Sequence, residues 1–209
     1  MNNNDAKKII DILTKTYPDA QTALNFNTPF ELLIATILSA QCTDERVNLI
    51  TDKLFKKANT PNQMLEIGVE RLIEYIQGAG LYKNKSKNII KTCELLVSEH
   101  GGCVPDNRKD LENLPGVGRK TANVVLANAF NQPTLAVDTH VFRVARRMGL
   151  SKGDTVLDVE KDLMEILPKT YWIDAHHTLI FHGRNRCKAR SPQCKTCEVQ
   201  KLCLQGEGK

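Results

Sequence analysis

The chain has 209 residues, with 29 Lys and Arg against 24 Asp and Glu, a formal charge of +5 and a pI near 8.8. That length can bury a core for one domain or two small ones, and the mild basicity suits a polyanion without identifying one. No run reaches the about eighteen apolar residues of a membrane span, and the opening MNNNDAKKIIDILTK lacks an apolar signal segment and a cleavage site, so a soluble, intracellular protein with no membrane partner is expected.

A first helix is expected over 5–17, with Ile9, Ile10, Leu13 and Tyr17 on one stripe and Pro18 closing it. Thr28-Pro-Phe-Glu31 supplies an N-cap, a proline for the first helical position and a capping-box glutamate. The nearly all-apolar run to Leu38 that follows marks a central helix. A polar turn from Ser39 to Asp44 leads into a helix at 44–57. Thr60-Pro-Asn-Gln63 repeats the cap signature, and helices follow at 61–66 and 69–77, the second stopped by Gly78 and Gly80.

Lys83, Lys85 and Lys87 flank the start of a helix running to His100 and stopped by Gly101; most of these lysines read as solvated, with Ile89, Ile90, Cys93, Leu96 and Val97 as its apolar positions. Asp106 is placed to cap a short helix at 107–113. Beyond Gly149, helices are expected at 155–167, ended by Pro168, and at 171–182, ended by Gly183. No segment alternates as a strand does, so the chain reads as all-α. His140, His176, His177 and His182 read as packing or capping residues, not ligands.

The segment 111–138, LENLPGVGRKTANVVLANAFNQPTLAVD, organises the rest. Pro115 ends one helix, and Gly116 and Gly118 permit a tight reversal into the next. The side-chain-free turn and the helix N-terminus after it can approach an anion, which for a DNA-binding protein is a backbone phosphate. Ala122, Val125, Leu126, Ala129 and Phe130 fix one face of the second helix on a core, and Lys120 falls in its first turn, where the helix dipole disfavours the ammonium form. A free lysine amine attacks carbon centres and forms Schiff bases. Asp138 stands at the N-cap of a further helix carrying Val141, Val144, Ala145 and Met148 and ended by Gly149. From spacing alone Lys120 reads as a solvated lysine and Asp138 as a cap; capping and catalysis are compatible.

Of seven cysteines, Cys42, Cys93 and Cys103 are scattered, whereas Cys187, Cys194, Cys197 and Cys203 crowd the C-terminus. Four thiols at that spacing point to a four-coordinate metal centre, and spacing does not choose between Zn(Cys)4 and an iron–sulfur cluster. Between residues 184 and 195 lie Arg184, Arg186, Lys188, Arg190 and Lys195 with no acidic residue, a density suited to phosphates.

LPGVGRKTANVVL followed by VDTHVFRV resembles the helix-hairpin-helix DNA glycosylases, and among them the endonuclease III family. The resemblance implies that Lys120 is the nucleophile and Asp138 the second catalytic residue of a combined glycosylase and abasic-site lyase acting on damaged double-stranded DNA as a monomer in the bacterial cytoplasm. Oxidised or ring-saturated pyrimidines are its implied substrates. SAQ-x-TD at 39–44 resembles the family motif whose glutamine, here Gln41, enters the gap left by the extruded nucleotide, and GLY at 80–82 a loop whose Leu81 inserts into the opposing strand. Cys42 and Ala79 depart from the family pattern.

The cysteine spacing is similar to that of the family's [4Fe–4S] loop. The fold implied has two lobes, 22–132 carrying the hairpin, and 1–21 with 133–209 carrying the cluster, with Lys120 and Asp138 on opposite sides of one cleft. Two alternatives stay open: a monofunctional glycosylase, which would not need Lys120, and a non-catalytic helix-hairpin-helix module, which would need neither Lys120 nor Asp138.

Overall fold

The computed structural model describes residues 1–206 and, among them, holds ten α-helices, two short 3₁₀ turns and no strand. The chain forms two compact units, Thr22–Gln132 and a second made of Met1–Gln21 with the residues from Pro133 onward.

The Thr22–Gln132 unit contains α2 (Pro29–Ser39), α3 (Asp44–Phe55), α4 (Pro61–Ile76), α5 (Tyr82–His100), α6 (Arg108–Asn113) and α7 (Arg119–Phe130). Helix α2 is its axis: every residue from Phe30 to Leu38 is buried, and α3, α5 and α7 pack around it. Each Leu or Ile so enclosed contributes roughly 1.5–3 kcal/mol. The helix starts as the sequence implies, with Thr28 accepting from the Glu31 amide at 3.2 Å and proline at the first position. Glu31 closes the start one residue earlier than a capping box would, accepting from the amide of Asn27 at 2.6 Å. Gly68, at φ +71°, breaks α4 into the two helical pieces that its pattern suggests. The short α6 is capped by Asn107, whose side chain accepts from Asp110 N, and not by Asp106.

Helix α7 buries more than one stripe, because Asn123, Val124 and Ala127 are enclosed as well as Ala122, Val125 and Leu126. That enclosure fixes the rotation of α7 about its axis and hence where Lys120 points.

In the other unit, α1 (Asn3–Thr16) and α8 (Thr139–Met148) pack on α10 (Trp172–Asn185), and α9 (Val156–Ile166) packs on α8. Helix α10 does not stop at Gly183. That glycine serves packing, since a Cβ there would lie 3.1 Å from His140 Cβ and from Val144 Cγ2 of α8.

Candidate nucleic-acid interface and metal centre

The turn joining α6 to α7 is plugged from inside and bare outside. Leu114 and Val117 are buried, whereas Gly116, Gly118, Arg119 and Lys120 are exposed. The Val117 amide donates to Leu114 O at 3.0 Å, and Thr92 Oγ1 ties the turn to α5 through Pro115 O at 3.0 Å. Gly116 has φ +80° and requires glycine, but Gly118 has φ −97° and nothing within 4 Å of a would-be Cβ. Gly118 offers no side chain to cap α7, so an anion such as a phosphate oxygen can approach the N-terminus of that helix closely. Lys120 is the second residue of that turn.

Asp138, in the other unit, is half-buried at the N-cap of α8. Its Oδ1 accepts from the amides of both His140 and Val141 at 2.8 Å. The two hydrogen bonds fix the carboxylate's direction through backbone atoms alone.

Gln41 and Leu81 share an unusual feature. Both are exposed, and both adopt left-handed backbone, at φ 55° and φ 59°, without being glycine. A conformation of this kind costs roughly 1–3 kcal/mol and persists only when the surroundings impose it. Here the two loops pack against each other: the Gly80 α-carbon abuts Gln41 O so closely that a Cβ would lie 3.1 Å away. Arg46 Nε also donates to Gly78 O at 3.2 Å.

Beneath both loops lies Lys85, only 5 % exposed, whose Nζ donates to Leu38 O at 2.7 Å and Ala40 O at 2.6 Å. Burial holds its pKa below the usual lysine value. Sequence reasoning placed this lysine among solvated ones. The signal was present, since residue 85 heads the helical row Ile89, Cys93 and Leu96 that forms the buried face of α5.

In the C-terminal segment, Cys187, Cys194, Cys197 and Cys203 are free, half-buried thiols lining one cavity together with Arg147, His182 and Gln200. Burial raises the thiols of Cys197 and Cys203, an effect opposed by the amide of Val199 at the first and those of Gln205 and Gly206 at the second. Further donors converge on the sulfurs. Arg147 Nη1 lies 3.7 Å from Cys187 Sγ, and His182 Nε2 lies 3.6 Å from Cys197 Sγ. Burial pulls His182 down to about 4 and pushes Tyr17 up to about 12, so the ring is neutral and the phenol protonated. A thiolate at Cys197 therefore requires the proton on Nε2, with Nδ1 accepting from the Tyr17 hydroxyl at 3.1 Å.

Four thiols around one space, ringed by N–H donors, fit a metal held by four thiolates. His182, Cys197 and Glu198 also approach within 4.8 Å of one another, but His182 is engaged by Tyr17 and Glu198 by Arg186.

Arg186, expected among the phosphate-contacting residues, has partners within the chain as well. Its Nε and Nη2 donate to Glu198 Oε1 at 3.2 and 3.0 Å, and its Nη1 to Gln193 Oε1 at 3.0 Å, making it a strut of the cysteine loop. Arg184, Lys188 and Arg190 are exposed. Arg147, which local pattern did not single out, donates to Lys188 O at 2.7 Å and Ala189 O at 3.1 Å, and so secures the basic stretch to α8.

Residues 34–169 match the HhH-GPD superfamily of base excision DNA repair proteins. Endonuclease III of Escherichia coli (strain K12) is 52% identical over 203 residues, 97% of this chain and 96% of that one. The chain belongs to the HhH-GPD superfamily, in its endonuclease III branch. Haemophilus influenzae endonuclease III, at 50% identity over 97% of this chain and 96% of its own length, is another such relative. Among solved HhH-GPD structures, a trapped endonuclease III–DNA covalent intermediate, an estranged-adenine complex, superposes with a TM-score of 0.93. It is 48% identical, covering 100% of this chain and 98% of that one. Among the described residues, no helix is long and apolar enough to cross a membrane.

Proposed function

We propose that this HhH-GPD protein is a bifunctional enzyme of base excision repair, removing oxidised or ring-saturated pyrimidines from duplex DNA and nicking the resulting abasic site. The observation that carries the reading is the exposed amine of Lys120 in the first turn of α7, directly behind the bare Gly116–Gly118 turn. A phosphate seated on that turn brings the neighbouring sugar to the lysine. The covalent endonuclease III–DNA intermediate known for a protein 48% identical supports the same chemistry.

The reaction starts with extrusion of the damaged nucleotide, at a cost of a few kcal/mol that is smaller for a lesion. Gln41 and Leu81 hold the gap. The lone pair of Lys120 Nζ attacks C1′, the bond from C1′ to the base breaks, and the base leaves with the bonding electrons. Asp138 takes the proton that the lysine loses and stabilises positive charge on the sugar. Opening of the sugar ring gives a Schiff base; loss of a proton from C2′ then breaks the C3′–O bond and expels the 3′ phosphate by β-elimination.

Cys187, Cys194, Cys197 and Cys203 would hold a [4Fe–4S] cluster, whose chemistry is four iron–thiolate bonds that close the loop. Lys188 and Arg190, with Arg184, then meet DNA phosphates. The enzyme works as a monomer in the bacterial cytoplasm.

Borohydride reduction of the enzyme mixed with duplex carrying a damaged pyrimidine tests this. A covalent adduct at residue 120 is expected, absent in Lys120→Gln, which should still bind the lesion. Strand cleavage by Lys120→Gln would overturn the nucleophile, and base release without any adduct would make the enzyme monofunctional.

A further inference from the structure

We infer that Lys85 is the positioning residue that sets Gln41 and Leu81 as a matched pair for holding opened DNA. The inference rests on the reading of those two side chains as the ones that fill the gap. Lys85 is bonded to both loops. Through its backbone, the Lys85 amide donates to Leu81 O at 3.0 Å, which fixes the carbonyl of one left-handed residue at the head of α5. Through its side chain, Nζ donates to Leu38 O and Ala40 O, the second belonging to the residue immediately before the other left-handed residue, Gln41.

The ammonium therefore does what a C-cap does for α2. It satisfies terminal carbonyls that point along the helix axis, where positive charge is favoured. The chain leaves α2 with Ala40 already out of helical geometry and enters the left-handed turn at Gln41.

Geometry makes the pairing specific. A buried ammonium without partners is costly, so the two carbonyls must stay where Nζ can reach them. The first turn of α5 must likewise stay within one lysine length of the end of α2. Gly80 completes the arrangement from outside, its missing side chain allowing Gln41 O to press against the second loop. Two probes that must enter the duplex from separate loops are thus held in one register before DNA arrives, which lowers the ordering cost of insertion. Neither Gln41 nor Leu81 is glycine, so their left-handed backbones cannot be attributed to glycine's conformational freedom.

The test uses the full-length protein with its metal bound, and a duplex in which an abasic analogue faces 2-aminopurine, whose fluorescence rises when its stacking is broken. Lys85→Met keeps the length and apolar stem of the side chain while removing its donors. It should abolish the fluorescence rise and lower kcat on a damaged pyrimidine in duplex by on the order of tenfold to a hundredfold, the effect of a displacement of about 1 Å. Affinity for undamaged duplex and the visible spectrum of the metal centre should be unchanged, which a general loss of structure would not allow. Lys85→Arg should restore part of the fluorescence rise.

Gln41→Ala and Leu81→Ala, run in parallel, separate the two ways of failing. If they lose the rise and Lys85→Met does not, the inference is overturned and the gap-holding reading stands. If they open the duplex as the unaltered protein does, the reading falls and the inference with it. Should Lys85→Met not fold, Gly80→Ala decides, because it forces the same loops apart without touching the lysine; a normal fluorescence rise in that variant would overturn the inference.

Discussion

At the residue scale, Gly116 and Gly118 look equivalent in LPGVG and are not equivalent in space. Only Gly116 occupies left-handed backbone, and a Cβ on it would meet Asn88 Nδ2 at 3.0 Å and Asn88 Cβ at 3.2 Å. Gly116→Ala should cost about 1–2 kcal/mol of stability. It should also weaken binding to damaged and undamaged duplex alike, as a phosphate grip does. Gly118→Ala should leave the thermal midpoint almost unchanged, within about 0.5 kcal/mol, so any affinity it loses measures how closely DNA approaches the turn. Thermal melts and fluorescence anisotropy on both duplexes check the pair. The turn itself was legible because proline and glycine act locally. Lys85 was legible only in part: its place at the head of the buried row of α5 could be read from spacing, but its carbonyl acceptors, 45 and 47 residues away, could not. The bracing role of Arg186 was hidden for another reason: a dense basic run does not show which guanidinium folds back onto Glu198.

At the element scale, the helix starts were the easiest part to read. Thr28, Thr43, Thr60 and Thr155 each accept from the amide three residues on, a pattern written in adjacent letters. Helix ends were harder. Gly183 has the look of a stop but lies within α10, since a glycine that ends a helix and one that admits a neighbouring helix are the same letter. Helix α8 offers a way to divide its cap from its chemistry. Asp138→Asn keeps an oxygen for His140 N and Val141 N and should hold the thermal midpoint while turnover falls. Asp138→Ala removes both bonds and should cost about 1–2 kcal/mol as well as activity. Single-turnover rates with melts on the two variants check this, and full activity in Asp138→Asn would confine the residue to capping.

At the scale of the whole molecule, the C-terminal segment stands apart in what holds it. Beyond Gly183, Val199 is the one hydrophobic side chain fully buried among the described residues, too little to order that length of chain by burial alone. Oxidative removal of iron should therefore leave the helical circular dichroism largely intact while exposing the segment after Arg186 to proteases. The salt dependence of duplex binding should flatten, because every phosphate that Lys188 or Arg190 no longer neutralises takes about 0.9 from the slope. Retention of a protease-resistant tail without iron would contradict this. Four cysteines at short spacing announced the grouping of thiols around one cavity. The grouping of residues 1–21 with the chain from 133 onward is not written locally, because it depends on contacts such as Tyr17 with His182, 165 residues apart.

Helix α8 has a further consequence. Asp138 stands at one end of it, and Arg147, one residue from the other end, is fastened to Lys188, Ala189 and Cys187 of the thiol loop. Ten residues of unbroken helix span about 15 Å and contain no proline or glycine at which to flex. A tilt imposed at the sulfur end is thus transmitted along a stiff lever to the carboxylate, and in the proposed mechanism the anchoring of the thiol loop becomes a condition for aim at the sugar.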